Sequence, residues 1–276
     1  MKRSHKQKEV GPWAKYKLDM LRKYLKFYVT ALKNKNFNLV YIDAFAGSGI
    51  LKVRGAEVNQ YIRGSPYCAL ELEESFGFNH HYFFEKDSKR VHDLSELKKQ
   101  FPKKKIYLKE GDANVLIQAL LEKQNLFHRG NMRGVAFLDP YGAHLEWTTV
   151  EKLAKIKKVE VIINFPLAMA INRLIPRSGE MRKTWREQLN RYFGTNEWYD
   201  IACKKEKDLF GDETVRKQSD VPDQLLKLYM DRLRAIYAYV AEPCLIRNTR
   251  KTPLYYLIWA GPHKLGLKGA NYILSR

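Results

Sequence analysis

A glycine-containing loop behind an apolar run is the first stretch with the residue types of a ligand site. Leu39-Val40-Tyr41-Ile42 predicts a buried strand, and Asp43-Ala44-Phe45-Ala46-Gly47-Ser48-Gly49 follows it. Gly47 and Gly49 have no Cβ, so the loop can turn sharply and let a ligand approach its backbone. A dinucleotide fingerprint would need Gly or Ala at the position of Lys52, which weakens an NAD interpretation. A plain strand-to-helix turn is the alternative.

Acidic residues also follow the next two predicted strands. Glu85 and Lys86 come after residues 81–84, and Asp112 and Ala113 come shortly after residues 106–108. In an open parallel sheet, ligands bind beyond the carboxyl ends of the strands, where Asp43 would also lie. Each acid alone is more often a helix cap or a solvated turn residue. Three acids at three successive strand ends instead favour a shared ligand site.

Asp139-Pro140-Tyr141-Gly142 ends a fourth predicted strand. A base amine is a poor nucleophile because its lone pair is delocalised into the ring. The Asp139 carboxylate and the Pro140 carbonyl could accept hydrogen bonds from such an amine and orient it. Tyr141 could stack on a base that has left its helix. The alternative is an ordinary type I turn.

The glycine loop resembles motif I of class I S-adenosylmethionine (SAM)-dependent methyltransferases. In that family, the acid after the second strand accepts hydrogen bonds from the ribose, and an Asp after the third binds the adenine amine. The resemblance implies SAM as the cofactor, held by Asp43, Phe45, Ala46, Gly47, Ser48, Gly49, Glu85, Lys86, Asp112 and Ala113. The fourth-strand string resembles motif IV of enzymes that methylate base amines, nearest to the tRNA guanine-N2 methyltransferases. It implies Asp139, Pro140, Tyr141 and Gly142 as catalytic residues, without a metal.

Composition narrows the class of partner. The chain has 276 residues and a formal net charge of +20, which favours capture of a polyanion such as RNA or DNA. A basic cytoplasm, thermal adaptation or solubility would also raise the lysine content. Cys68, Cys203 and Cys244 form no CxxC pattern, which is typical of a reducing cytoplasm. No apolar stretch is long enough to predict a membrane span.

Periodicity predicts the elements that position these residues. One apolar face from Trp13 to Leu32 predicts a long helix that covers the sheet. Residues 50–64 interrupt the usual loop-to-helix connection, and we expect either a basic flap or a passive insertion, with Lys52 and Arg54 as candidate substrate contacts. Ser65 and Pro66 predict an N-cap and the start of a helix that ends near residue 75.

The second half of the chain predicts three further helices, a fifth strand and a terminal hairpin. Helices are expected over residues 149–158, 181–193 and 222–240, and a fifth strand over 159–163. Asn164 and Phe165 then become candidate substrate contacts, although a turn role for Asn164 is equally open. Two runs, 244–247 and 255–260, are joined by a link so short that their strands must be antiparallel.

The predicted architecture is therefore a single α/β domain. We expect a Rossmann-like class I methyltransferase sheet that is mostly parallel, with an antiparallel terminal hairpin and helices on both faces. Residues 1–12 are predicted to be a basic flexible tail, and residues 13–276 the domain. Residues 173–220, where basic and aromatic residues alternate, are predicted to be a helical insertion on the substrate side, or a solvated face over a small aromatic core.

Taken together, the chain resembles the three-Cys-motif partner family of bacterial, archaeal and phage proteins. The resemblance rests on the two motif strings, on Gly64-Ser65-Pro66, Phe84-Glu85-Lys86-Asp87, Asn164-Phe165-Pro166 and Tyr255-Tyr256-Leu257. It implies a neighbouring partner protein that carries a cysteine motif. The sequence predicts a SAM-dependent N-methyltransferase acting on an exocyclic base amine of nucleic acid, with RNA favoured. A non-catalytic nucleic-acid-binding or assembly partner is the alternative, and a small-molecule methyltransferase is a third.

Overall fold

The computed structural model describes residues 9–54, 60–73, 75–122, 126–128, 131–207 and 213–274. The strands are β1 (Glu9–Val10), β2 (Asn38–Asp43), β3 (Ile50–Val53), β4 (Tyr61–Arg63), β5 (His80–Glu85), β6 (Ile106–Glu110), β7 (Met132–Leu138), β8 (Val159–Phe165), β9 (Cys203–Lys207), β10 (Glu213–Lys217), β11 (Tyr239–Val240), β12 (Cys244–Arg247) and β13 (Pro253–Gly261). The α-helices are α1 (Trp13–Leu32), α2 (Ser65–Leu70), α3 (Ser88–Gln100), α4 (Ala113–Glu122), α5 (Trp147–Lys155), α6 (Asn172–Leu174), α7 (Lys183–Phe193), α8 (Glu197–Ala202), α9 (Val221–Ile236) and α10 (Lys264–Leu274).

The central sheet has the order β11-β13-β8-β7-β2-β5-β6, and β12 also pairs with β13. The five strands from β8 to β6 run parallel, so their carboxyl ends meet at one edge. Strand β13 is antiparallel to both β8 and β12. This order confirms the predicted Rossmann-like α/β fold, including its antiparallel terminal hairpin.

Helices cover both faces of the sheet, which explains why its central strands are almost wholly buried. Side chains alternate between the two faces of a strand. Val40 and Ile42 accordingly pack with α4, α5, α7 and α9. Leu39 and Tyr41 pack on the other face with α1, α2, α3 and α10.

The excursion between β2 and α2 is a small sheet. Strand β3 pairs antiparallel with β4 and parallel with β1. Residues 55–59 lie outside the described part of the chain. The Gly64 amide donates to the Gly49 carbonyl at 2.7 Å and closes the base of the hairpin. A Cβ on Gly64 would lie 2.9 Å from that oxygen, so the close approach requires glycine.

Several predicted boundaries were wrong at their ends. Of the predicted tail, residues 1–8 lie outside the described part, but Glu9–Val10 forms a strand. The N-cap of α2 is Gly64 rather than Ser65, and the helix ends at Leu70 instead of residue 75. Helix α5 begins at Trp147 and ends at Lys155, and α9 ends at Ile236, before strand β11.

The segment 173–220 packs into the main body of the protein. It contains α6, α7, α8 and the antiparallel pair β9–β10. Leu189, Phe193 and Trp198 are fully buried in the same core as the end of β8. The polar stretch after residue 203 therefore contains a hairpin, which its composition did not predict. None of the described helices is both long and apolar enough for a membrane span.

Candidate functional site

A cavity of about 520 Å³ lies at the carboxyl edge of the parallel strands. The loops after β2, β5, β6 and β7 line it, and α1 and β3 add its outer wall. This position is where open α/β sheets bind ligands. The cavity brings together ten of the residues predicted for the site, namely Phe45, Ala46, Gly47, Gly49, Glu85, Lys86, Asp112, Ala113, Asp139 and Tyr141.

The other predicted residues do not line it. Ser48 turns its hydroxyl to the Ile50 carbonyl at 2.7 Å. Leu51 faces the cavity, whereas Lys52 and Arg54 are absent from the described lining. Phe165 is fully buried and stacks on Tyr229, with ring centroids 4.7 Å apart. The burial of Phe165 leaves no surface for the substrate contact predicted for it.

The glycine loop is open toward the cavity. Gly47 and Gly49 have φ values of +67° and +77°, which non-glycine residues rarely adopt. A Cβ on Gly47 would meet no atom within 4 Å. The space beside the Gly47 backbone is therefore available to a ligand.

Glu85 connects the glycine loop to the end of β5 through hydrogen bonds. Its Oε2 accepts from the Gly47 amide at 2.9 Å, and its Oε1 accepts from the Lys86 and Asp87 amides at 3.0 Å each. Arg90 approaches the same Oε1 at 3.6 Å. The carboxylate is nearly buried yet still faces the cavity. Because each carboxylate oxygen can accept more than one hydrogen bond, Glu85 can still bind hydroxyl groups.

Asp112 lies across the cavity, before α4. Its Oδ1 accepts from the Asn114 amide at 2.9 Å, as an N-capping side chain does. Its Oδ2 is 3.8 Å from the Lys86 ammonium. Asp112 therefore caps α4, as an aspartate before a helix often does, and also lies on the cavity wall.

Asp139 is held by two residues that are far from it in the sequence, Lys17 of α1 and Asn164 of β8. Its Oδ2 is 2.5 Å from Nζ of Lys17 on α1, and its Oδ1 accepts from the Asn164 side chain at 2.5 Å. The Lys17 ammonium lies 5.3 Å from the centre of the Tyr255 ring. The side chains of Lys17 and Asp139 are only 12% and 19% exposed. Asp139 is therefore fixed in position at the cavity wall.

Asp43 lies beside this group but beneath the cavity surface. The Tyr41 hydroxyl donates to its Oδ2 at 3.4 Å. Burial raises the pKa of Asp43 to about 7, and the Asp139 charge adds to the rise. Asp43 and Asp139 lie at the same end of adjacent strands, since Asp43 aligns with Phe137.

The entrance of the cavity is formed by the turn after Asp139. Tyr141 is 77% exposed there, and His144 also lines the cavity. Gly142 has a φ of +71° and allows the chain to turn back toward the core, while Pro140 is buried. An exposed aromatic ring beside a fixed carboxylate suits a planar ligand.

Sequence reasoning missed Lys17 and Ser65. Lys17 lies in a helix where lysine normally marks the solvent face, so periodicity assigned it no role. Ser65 lines the cavity and faces Asp43, although its place next to Pro66 suggested a cap. No local pattern relates either residue to the carboxylates, because the contacts span the fold.

Comparisons with known proteins add a set of distant structural similarities. No family model and no curated protein matches the sequence. Among solved structures, a Legionella pneumophila protein of the DUF519 family is 16% identical with a TM-score of 0.43, over 79% of this chain and 92% of that one. YhhF of Escherichia coli, a proposed methyltransferase, is 12% identical with a TM-score of 0.35, over 72% and 85%.

A third similar structure is Trm1 of Pyrococcus horikoshii in complex with S-adenosyl-L-methionine. It is 12% identical with a TM-score of 0.41, over 91% of this chain and 58% of that one. All three similarities are weak. The α/β fold class follows from the strand order and connections of this chain.

Proposed function

We propose that this protein is a SAM-dependent N-methyltransferase that acts on an exocyclic base amine of nucleic acid, with RNA favoured. The observation that carries the proposal is the shared cavity of the glycine loop, Glu85 and Asp139. Its volume, about 520 Å³, falls in the range of small-molecule sites. A cofactor pocket and an amine-orienting carboxylate are the two parts that such a reaction needs.

The residues present fit SAM. The open backbone beside Gly47 suits close approach of the methionine part, and Glu85 suits the ribose hydroxyls. Asp112 suits the adenine amine. When bound, SAM supplies an electrophilic methyl group on a sulfonium.

The residues around Asp139 prepare the amine. The Asp139 carboxylate would accept a hydrogen bond from the amine, so that the nitrogen lone pair points at the methyl group. Lys17 and Asn164 keep the carboxylate in place from both sides. Tyr141 offers its exposed ring as a stacking surface for the base.

A basic surface beside the entrance supports a nucleic-acid substrate. On α7 and just before it, Arg182, Lys183 and Arg186 are exposed. The Arg186 guanidinium lies 4.0 Å from the centre of the Tyr199 ring. The Gln188 side chain of α7 donates to the Ala143 carbonyl at 3.2 Å, which attaches the helix to the loop after Asp139. A nucleic-acid strand bound along α7 would extend toward the entrance of the cavity.

The test is transfer of a tritiated methyl group from SAM into total RNA, DNA and protein. We expect label in RNA with the wild-type protein and at least about 10²-fold less with Asp139→Ala. Calorimetric titration should show SAM binding to both. Label in the protein or small-molecule fraction alone would refute the nucleic-acid substrate. Absence of SAM binding at millimolar SAM would refute the proposed methyltransferase activity.

One observation favours the alternative of a non-catalytic nucleic-acid-binding or assembly partner. Both oxygens of Asp139 already have protein partners, as expected if the turn were structural. The resemblance to the three-Cys-motif partner family supports a neighbouring cysteine-motif protein as the second component. Co-purification with that protein, without SAM binding, would select this alternative.

A further inference from the structure

A second cavity, of about 530 Å³, lies at the opposite edge of the sheet. Its walls are the last turns of α1, the amino ends of β7 and β8, and the start of α10. None of its described lining residues belongs to the first cavity. The proposed methyl transfer assigns it no role.

The rim of this cavity is cationic. Its described lining includes four cationic side chains, Lys35, Arg133, Lys158 and Lys264, but one acidic residue, Glu160. None of the four cations forms an ion pair with an acidic residue in the part of the chain that the structure describes. Lys158 instead donates to the Phe127 carbonyl at 2.7 Å, and Arg133 donates to the Met132 carbonyl at 2.8 Å. Lys158 and Arg133 are thus held at the cavity by contacts other than ion pairs with carboxylates.

The interior is aromatic. Phe27, Tyr28 and Phe37 line it together with Ala31 and Leu32. The Arg133 guanidinium lies 4.5 Å from the centre of the Phe37 ring, which fixes a flat cation against the wall. Planar bases stack on aromatic rings and on guanidinium groups.

The single acid of the lining, Glu160, is buried and hydrogen-bonded within the protein. The Tyr24 hydroxyl donates to Oε2 of Glu160 at 2.5 Å. Burial raises the pKa of Glu160 to about 7, although the hydrogen bond from Tyr24 opposes the rise. A carboxyl group on the cavity wall can also hydrogen-bond the polar edge of a base.

We propose that this second cavity binds a nucleoside monophosphate unit, with its phosphate at the cationic rim and its base against the aromatic wall. The unit is either a free nucleotide or one residue of an RNA strand. The two sources share the same chemistry, and the experiment separates them.

The experiment is calorimetric titration of the full-length protein with GMP and, separately, with a short single-stranded RNA. GMP is used because an adenine nucleotide could enter the first cavity. Ala31→Phe fills the second cavity without changing the charge, and we expect it to abolish binding of GMP. Lys158→Gln removes one phosphate contact and should weaken binding about tenfold or more.

Lys227→Gln is the matched control. Lys227 is an exposed lysine on α9, 3.5 Å from Asp231, and its loss should change the affinity less than about twofold. Binding of GMP that Ala31→Phe and Lys158→Gln abolish or weaken supports a free nucleotide. Binding of RNA alone, with the same two losses, supports the strand. Binding of neither ligand, or binding that both variants retain, overturns the proposal.

Two further measurements keep the results distinct. Thermal unfolding of each variant shows whether Ala31→Phe folds; if it does not, Lys158→Gln against Lys227→Gln decides alone. SAM titration of the same variants tests the first cavity separately. Loss of nucleotide binding with intact SAM binding concerns only the second site, and failure of SAM binding concerns only the proposed methyl transfer.

Discussion

Replacing Asp139 with alanine is expected to abolish most methyl transfer while SAM binding and the fold persist. Removal of one pre-positioned electrostatic group typically slows an enzyme by about 10²–10³-fold. Asp139 is such a group, because Lys17 and Asn164 fix both of its oxygens at 2.5 Å. We therefore expect a loss of at least about 10²-fold in methyl transfer.

The same substitution has a structural effect that can be separated from the chemical one. Lys17 is 12% exposed and would lose its counterion, but it keeps its contact with the Tyr255 ring. A hydrogen bond to a charged group contributes about 1.5–3 kcal/mol and Asp139 accepts two, so the free energy of unfolding should fall by about 3–6 kcal/mol. Domains are typically stable by about 5–15 kcal/mol, so we expect the variant to remain folded at room temperature with a lower urea midpoint.

A second variant removes the orphaned charge. Lys17→Met combined with Asp139→Ala should recover much of the stability in urea denaturation but none of the methyl transfer. Asp93→Ala, an exposed acid on α3, is the control and should leave both unchanged. Retention of transfer by Asp139→Ala, or its recovery in the double variant, would show that Asp139 does not orient the amine.

Three other substitutions test separate parts of the structure. Glu85→Ala should weaken SAM binding by about tenfold or more in calorimetry, whereas Glu110→Ala, outside the cavity, should not; equal effects would remove Glu85 from the cofactor site. Phe165→Ala should lower the free energy of unfolding by about 3–5 kcal/mol in urea, and a smaller loss than about 1 kcal/mol would contradict its core position. Glu160 has a folded pKa of about 7 against an ordinary 4.5, so the folded state keeps its proton longer and stability should fall as pH rises between these values. Glu160→Gln should therefore be more stable than wild type by about 3 kcal/mol at pH 8 and nearly equal at pH 4, and a difference independent of pH would refute the assignment.

The strands of the site could be predicted because each combines an apolar run with an acid at its end. The run before Asp43 and the run before Asp139 are buried on both faces. Their continuous apolar character and the acidic residue that follows each of them therefore indicate both strands in the sequence. Strand β8 runs two residues further than expected, through Asn164 and Phe165. Side-chain alternation then turns Asn164 toward Asp139 and Phe165 into the opposite core. A predicted strand that ends at residue 163 left the directions of these two side chains open.

Other elements depend on contacts that no local pattern encodes. Helix α10 was not predicted, because Gly266 and Gly269 lower its helix propensity. A Cβ on Gly269 would lie 2.1 Å from the Phe27 ring, so this glycine allows α10 to pack on α1, whereas Gly266 lies against Glu160 and Trp259 of the sheet. The site lysine escaped prediction for a similar reason, since Lys17 and Asp139 are separated by 122 positions.

Helix α1 forms a wall of both cavities. Lys17 near its beginning faces the first, and Ala31 near its end faces the second. Fourteen residues of α-helix separate the two positions by about 21 Å, a spacing that a rigid rod maintains. Deletion of α1 would therefore expose both cavities to solvent. A fluorescent label midway along the helix would lie between the two ligand sites.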